Sequence, residues 1–302
     1  MEIHNVIIIG AGPAGIASAI QLKRQGINPL VIEKKQPGGL LLNANRIENY
    51  PGFPKGISGV KLVRQMTKQL RFWGIDIIKE EVIEVEYNVQ SPNDSAFIIK
   101  TNQQTLKSNV LIIATGTKAK TVETPEIPSS VRDRIFYEVY PLLQIKNREF
   151  VVAGSGDAAF DYALNLSRKN RVHIINRSNY LKCLPILFEE CSKNKNIRYS
   201  ENTVIEKIEK EVVNQHDYRL SLHCLCDGKD EILKSDYLIF AVGRQADLRI
   251  LGPELKNNYQ ILISSKRLFL TGDVQNGDYR QLSISVGDGV KAAMEIFKKY
   301  NF

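Results

Sequence analysis

Two segments of this chain share one short grammar: an apolar run, a glycine-rich turn, a helical pattern and a second apolar run. In the first, Val6-Ile7-Ile8-Ile9 leads into Gly10-Ala11-Gly12-Pro13-Ala14-Gly15. A helix then runs to about Arg24, Gly26 stops it, and a strand from Pro29 to Ile32 ends on Glu33. In the second, Phe150-Val151-Val152-Ala153 leads into Gly154-Ser155-Gly156-Asp157-Ala158-Ala159, a helix to about Ser167, and a strand from Val172 to Ile175 closed by Asn176-Arg177-Ser178. Parallel strands can be joined only through a crossover, so this repeat predicts two parallel sheets wound with helices. A length of 302 residues leaves room for two such domains.

Each glycine has its own task. Gly10 permits the tight turn, Gly12 lets the backbone approach a pyrophosphate at the helix N-terminus, and Gly15 lets helix pack on strand. Glu33 is placed to accept from the ribose hydroxyls of an adenosine. The second turn keeps Gly154 and Gly156, puts Ala159 in the small third position, and so predicts a second dinucleotide held by Gly154, Ser155, Gly156, Asp157 and Ala158. Its strand end offers Asn176, Arg177 and Ser178, with Lys182 nearby, instead of an acid. Those groups suit a 2′-phosphate and favour NADPH over NADH, the alternative being ordinary surface cations.

Between the two turns lie strand-like runs Val82 to Tyr87 and Ala96 to Thr101, split by Ser91-Pro92-Asn93-Asp94, then a strand Val110 to Ile113 ending in Ala114-Thr115-Gly116. The second half repeats this with Val204 to Ile208, Tyr218 to Cys226 and Tyr237 to Phe240 before Ala241-Val242-Gly243. Leu268 to Asp273 and a helical pattern from Val286 to Phe297 follow. The expected fold class is α/β, with two Rossmann-like dinucleotide-binding domains, each a central parallel sheet with an antiparallel β layer.

Composition narrows the function classes. With 43% hydrophobic and 25% charged residues the chain is a globular one, and no apolar run is long enough for a membrane span. Val6 to Ile9 runs straight into the first glycine turn, with no basic leader, so it is not read as a signal peptide. The net charge of +8 suits an anionic cofactor or an acidic protein partner, while scattered cations in short runs give nucleic-acid binding no support. Cys183, Cys191, Cys224 and Cys226 match neither a secreted disulfide framework nor a zinc site, so the expectations are a reducing cytoplasm and no metal. Cys224 and Cys226 share one face of a strand, where a mutual disulfide is geometrically poor.

Gly38-Gly39 followed by Ile47-Glu48-Asn49-Tyr50-Pro51-Gly52-Phe53 resembles the low-molecular-weight thioredoxin reductase family, pyridine nucleotide-disulfide oxidoreductases of class II fold. Ala114-Thr115-Gly116, Gly154-Ser155-Gly156-Asp157, Gly272-Asp273, Tyr279-Arg280-Gln281, Gly287-Asp288-Gly289 and Ala292-Ala293 extend the resemblance over nearly the whole chain. It implies a discontinuous FAD domain, residues 1–116 and 245–302, with an NAD(P)H-binding domain, 117–244, inserted. FAD would meet Gly10, Gly12, Pro13, Ala14, Gly15 and Glu33, then Gly39, Leu40, Asn45 and Asn49, then Val82, Ala114, Thr115 and Gly116. The resemblance gives Asp273, after Gly272, the ribityl chain, and sets Arg280, Gln281 and Leu282 by the flavin pyrimidine edge, where the helix starting near Ser283 favours negative charge. A homodimer is also implied.

One departure changes the chemistry. The family places Cys-x-x-Cys fourteen residues before the first glycine of the nicotinamide turn; counting back from Gly154 gives Tyr137-Glu138-Val139-Tyr140, with Pro141 for the usual acid. A phenol cannot form the thiolate that attacks a disulfide. Tyr137 and Tyr140 either cover the flavin or fill core. The expected reaction is electron transfer from NAD(P)H through FAD, which itself does the chemistry, to a non-disulfide acceptor, either a small molecule or an acidic redox protein such as ferredoxin or flavodoxin. Ferredoxin-NADP reductases of this fold also lack the cysteine pair but usually carry a C-terminal extension, and this sequence stops at Phe302. A ferredoxin-fed flavin enzyme and a non-catalytic flavin-binding protein are the other readings.

Overall fold

The computed structural model describes residues 3–88, 96–215 and 217–300, so the turn predicted at Ser91-Pro92-Asn93-Asp94 lies outside the described residues. The chain divides into two compact units: Met1–Leu42, Ile47–Lys118 and Gln245–Phe302 form one, and Asn43–Arg46 with Ala119–Arg244 the other.

The first unit opens with β1 (Ile3–Ile9), α1 (Pro13–Arg24), β2 (Leu30–Ile32), α2 (Gly59–Phe72) and β3 (Ile77–Ile78), then β4 (Val82–Asn88), β5 (Ala96–Thr101) and β6 (Thr105–Ile113). The sheet order is β3-β2-β1-β6-β5-β4. Strands β3, β2, β1 and β6 run parallel, while β5 and β4 are antiparallel additions. Parallel strands are covered on both sides, which is why β1 is almost continuously apolar. Val6 and Ile8 pack toward α1, beside Leu22, while Ile7 and Ile9 pack on the opposite face with Val85 and Phe97. This is the two-residue alternation of a strand.

Crossing into the second unit, the chain forms β7 (Thr117–Ala119), then β8 (Ile135–Phe136), β9 (Glu149–Ala153), α3 (Asp157–Leu166), β10 (Arg171–Ile175), α4 (Pro185–Ser192) and β11 (Ile197–Ser200). Next come β12 (Thr203–Asn214), β13 (Asp217–Cys226), β14 (Lys229–Ser235) and β15 (Tyr237–Phe240). A parallel sheet of order β11-β10-β9-β15-β8 carries α3 and α4 over Phe150 and Val152. Its other face, through Val151, meets the antiparallel sheet β12-β13-β14 at Ile208, Leu220, Leu222 and Cys224.

The return strand β16 (Arg244–Ala246) pairs with β7. The rest of the first unit is α5 (Pro253–Ser264), β17 (Leu268–Leu270), parallel to β6, and α6 (Leu282–Lys299). The predicted α/β architecture of two parallel sheets with antiparallel layers is therefore present. Helices α2, α4 and α5 add to the elements the sequence pattern predicts. On α2, Leu62, Val63 and Leu70 are buried, and the opposite face is polar.

Candidate functional site

In the first unit, Gly10 has φ +102°, and a Cβ there would lie 2.4 Å from the Ala114 carbonyl oxygen. Its N–H donates to the Ile32 carbonyl at 2.8 Å. No Cβ fits at Gly15 either, where the Gly10 oxygen would be 1.9 Å away. Gly12 differs: nothing lies within 4 Å of its Cβ position, at the residue preceding α1. The turn is thus packed behind and open in front, which is the shape a pyrophosphate needs at a helix N-terminus. Pro13 opens α1, no acid occupies its first turn, and no side chain caps it. The residues here fit a dinucleotide.

The Glu33 carboxylate braces this turn, accepting from the Ala11 N–H at 2.9 Å and the Lys35 N–H at 3.0 Å. Glu33, Val82 and Thr115 line a cavity of about 310 Å³ beside Gly10. Thr115 donates to the Asp247 carbonyl at 2.7 Å, and Asp247 N–H donates to the Gly116 carbonyl at 3.0 Å. Asp247 and Arg249 face the same cavity, paired through both carboxylate oxygens at 2.7 and 2.8 Å. Arg249, with its hydrogen bonds, holds the Asp247 carboxyl below the usual carboxylate range.

The end of the chain meets the same turn. A Cβ on Gly272, whose φ is +75°, would lie 2.8 Å from the Ala14 Cβ, and one on Gly289 2.2 Å from the Ala14 oxygen. Ser18 donates to the Ala14 carbonyl at 2.9 Å and lies 3.1 Å from the Gly289 carbonyl. Asp273 accepts from Ser285 at 3.0 Å, and Asn49 Nδ2 donates to Gln281 Oε1 at 2.9 Å. Leu282 begins α6, Arg280 is half-buried in the turn before it, Leu40 is half-buried, and Gly39 faces the Gly12 Cα, 3.5 Å from its Cβ position. Ser18, Ser285, Asp247 and Arg249 are members of this cluster that the motifs do not single out. A serine four residues after Ala14, within an apolar helix face, is the one signal the sequence offers.

Asn45 is grouped by its contacts with the second unit. Its N–H donates to Asp161 at 2.9 Å and its side-chain oxygen accepts from Arg168 at 2.5 Å, both within the second unit. Burial raises the Asp161 carboxyl to about 6 despite the Asn45 N–H and the nearby Arg168 charge.

In the second unit a Cβ on Gly154 would meet the Ala241 oxygen at 2.6 Å, whereas Gly156, preceding α3, has nothing within 4 Å. The turn is again closed behind and open in front, beside a cavity of about 890 Å³. Ser155 and Ala158 border it, and Asp157 accepts from the Leu184 N–H at 2.8 Å. Arg177 and Lys182 are exposed at the rim, with the Lys182 N–H on the Ser155 carbonyl at 2.9 Å. Asn176 is turned inward: its amide donates to Tyr180 O at 3.0 Å and Tyr199 Oη at 3.2 Å, and its oxygen accepts from Ser178 N–H at 3.3 Å. Arg177, Ser178 and Lys182 therefore stand at the cavity with free donors in reach, and Asn176 shapes the loop that carries them. Burial pushes the Tyr162 phenol, also on this cavity, up to about 12.

Tyr137 packs its ring 5.9 Å from Phe240 and lines the same cavity. Tyr140 opens a short turn, its N–H donating to Asn43 Oδ1 at 2.9 Å. All four cysteines are unpaired. Burial pushes Cys191 and Cys224 up to about 12, and their thiols donate to the Phe160 and Leu222 carbonyls. Among the described residues no cluster of metal-ligating side chains occurs, and no helix is long and apolar enough to cross a membrane.

Residues 4–289 match the family described as pyridine nucleotide-disulphide oxidoreductase. The chain is 31% identical over 304 residues to a thioredoxin reductase of Treponema pallidum (strain Nichols), covering 96% of this chain and 95% of that protein. It is 30% identical over 317 residues to NADPH-dependent thioredoxin reductase 3 of Arabidopsis thaliana, covering 97% of this chain but only 57% of that protein's length. The crystal structure of Lactococcus lactis thioredoxin reductase (FR conformation) superposes with a TM-score of 0.82 at 26% identity, over 98% of both chains.

Proposed function

The chain belongs to the pyridine nucleotide-disulphide oxidoreductase family, and from that membership we propose an FAD-dependent reductase that takes electrons from NAD(P)H and delivers them to an acceptor other than a disulfide of its own. What carries the reading is a pair of glycine turns, at Gly12 and Gly156, each open toward solvent at a helix N-terminus, in a chain with tyrosines at the family's cysteine positions.

Bound FAD would supply hydride acceptance and electron release. This chain's residues do the rest. The first turn of α1 and Gly12 hold the pyrophosphate, and Glu33 orients the adenosine while fixing the turn through Ala11. Asp273, positioned by the Ser285 hydroxyl, would hold the ribityl chain. The Asn49–Gln281 pair and the start of α6 would receive the isoalloxazine, and a helix N-terminus there would favour negative charge on it. In the second unit Gly156 and α3 receive the nicotinamide dinucleotide, with Arg177 and Lys182 supplying charge for a 2′-phosphate. Four unpaired thiols suit a reducing compartment, the cytoplasm, and a homodimer is the proposed assembly.

Anaerobic mixing of the flavin-loaded protein with NADPH or NADH tests the reading through the visible flavin absorbance. Rapid bleaching is the expected result. Bleaching by reduced ferredoxin alone would replace nicotinamide as donor, and bleaching by none of them would leave a flavin-binding protein.

A further inference from the structure

The outer face of α2 has no part in the cofactor sites. Lys61, Arg64, Lys68 and Arg71 follow at spacings of three, four and three residues, which puts them in one line along the helix. At 1.5 Å per residue that line is about 15 Å long. All four are exposed, α2 contains no Asp or Glu, and among the described residues none of the four side chains makes an ion pair or hydrogen bond.

Some cations elsewhere in the unit are paired, and the scattered ones that are not do not form a row of four on one helix face. Lys100 reaches Glu84 and Glu86 at 3.0 and 2.9 Å, Arg249 reaches both oxygens of Asp247, and Lys266 meets Glu295 at 3.1 Å. Like charges three and four residues apart repel and weaken a helix, so this row opposes the element that carries it. An acidic surface laid along the row would relieve that repulsion.

Beside the row, Phe72 is 83% exposed and set edge-on to Trp73, with ring centroids 5.8 Å apart. An aromatic anchor next to charges is a common element of a protein–protein contact. A membrane surface fits poorly, because the apolar face of α2, with Leu62, Val63 and Leu70, is buried in the unit and has nothing left to insert. A nucleic-acid strand fits poorly too, since the row lacks interleaved aromatic rings for bases to stack on.

The row also lies close to the first dinucleotide turn. A Cβ on Gly38 would lie 2.5 Å from Val63 on the inner face of α2, and Gly39 next to it faces Gly12. The charged face is therefore about one helix diameter, roughly 10 Å, behind the loop that covers the turn.

We propose that the Lys61–Arg64–Lys68–Arg71 face of α2 docks a small acidic redox protein, the outside acceptor of the flavin unit; the inference rests on the reductase reading above. For a one-electron carrier the balance is one NAD(P)H and two oxidised carriers giving NAD(P)⁺, one proton and two reduced carriers.

The test uses the flavin-loaded full chain with an acidic [2Fe–2S] ferredoxin as probe, and measures association at low and at raised salt. Wild type is expected to bind at low salt and to lose most affinity as salt rises. Lys68→Glu/Arg71→Glu is expected to bind at least tenfold more weakly, with Lys61→Gln/Arg64→Gln intermediate, while flavin content and nicotinamide-driven bleaching stay unchanged and the melting temperature holds or rises slightly as the repulsion along α2 is relieved. The neutral pair keeps the test valid should charge reversal disturb the helix. Equal affinities for wild type and both variants would overturn the proposal. So would failure of wild type to bind ferredoxin at low salt, including a result in which it binds anionic phospholipid vesicles or a single-stranded oligonucleotide instead. Loss of nicotinamide-driven bleaching with salt-sensitive docking intact would remove the reductase reading and leave the docking face standing.

Discussion

The carbonyl oxygen of Gly10 sits 1.9 Å from where a Cβ on Gly15 would be, so the first residue of the turn and the first turn of α1 are in direct backbone contact. Gly12, between them, has open space on its outer side. Two substitutions of equal size should therefore fail differently. Gly15→Ala forces backbone apart and should cost about 1–3 kcal/mol of stability in the apoprotein, measured by thermal or denaturant unfolding. Gly12→Ala should leave apoprotein stability nearly unchanged and weaken FAD binding by about tenfold or more, read by flavin fluorescence on titration. Equal stability loss in both would contradict the geometry.

Two half-buried titrating groups in the second unit act in opposite senses. Burial raises Asp161 from 3.8 to about 6, so the folded state holds its proton where the unfolded chain has released it, and stability falls as pH rises from about 4 to 6. His173, on Ser200 Oγ at 2.8 Å, is lowered by burial from 6.5 to about 4. There the unfolded chain takes up the proton first, so stability falls as pH drops from about 6.5 to 4. The two largely cancel in wild type. Asp161→Asn should expose the acid-side loss on the order of 3 kcal/mol at most, and His173→Gln the opposite slope, in urea unfolding across that range.

Arg177 and Lys182 stand exposed at the rim of the second cavity. Replacing both with Ala should raise the KM for NADPH by about tenfold or more and leave that for NADH within about twofold, because only the former carries a 2′-phosphate. Parallel changes for both nucleotides would place the cations outside nucleotide recognition.

No cysteine of this chain is poised to become a thiolate. Cys191 and Cys224 are raised to about 12 by burial, and burial is the leading cause of the upward shifts of Cys183 and Cys226 as well. The protein should not reduce thioredoxin in an NADPH-coupled disulfide assay, and Cys191 and Cys224 should resist iodoacetamide near pH 8 until the chain is unfolded. Mass spectrometry of the labelled peptides reads the second outcome directly.

The glycine turns are legible in sequence because they combine a strand, a forbidden Cβ and a helix start within a few residues. The strand after α1 begins at Leu30 and not Pro29, since proline has no N–H for the ladder. Asn176 reads as a phosphate ligand by position and borders the cavity, while its amide also donates to Tyr180 O in its own loop and to Tyr199 Oη on β11, partners that no local pattern signals. Asn45 is bonded to Asp161 and Arg168, 116 and 123 residues away, and no local pattern can signal that. Helix α2 has apolar positions at helical spacing, Leu62, Val63, Met66 and Leu70, and a serine, Ser58, at its cap, but no acid in its first turn to strengthen that start signal.

Strand β17 and helix α6 complete the first unit from Gln245 onward, whereas the second unit, Asn43–Arg46 aside, is one continuous stretch. During synthesis on the ribosome, the stretch from Ala119 to Arg244 is therefore fully made while the first unit still lacks the strand beside β6 and the residues Gly272 and Gly289 that close on Ala14. Closure of the first glycine turn becomes one of the last events of synthesis, and until then the Leu111–Ile113 end of β6 lacks its neighbour on the β17 side, a short stretch of strand that a chaperone could shield.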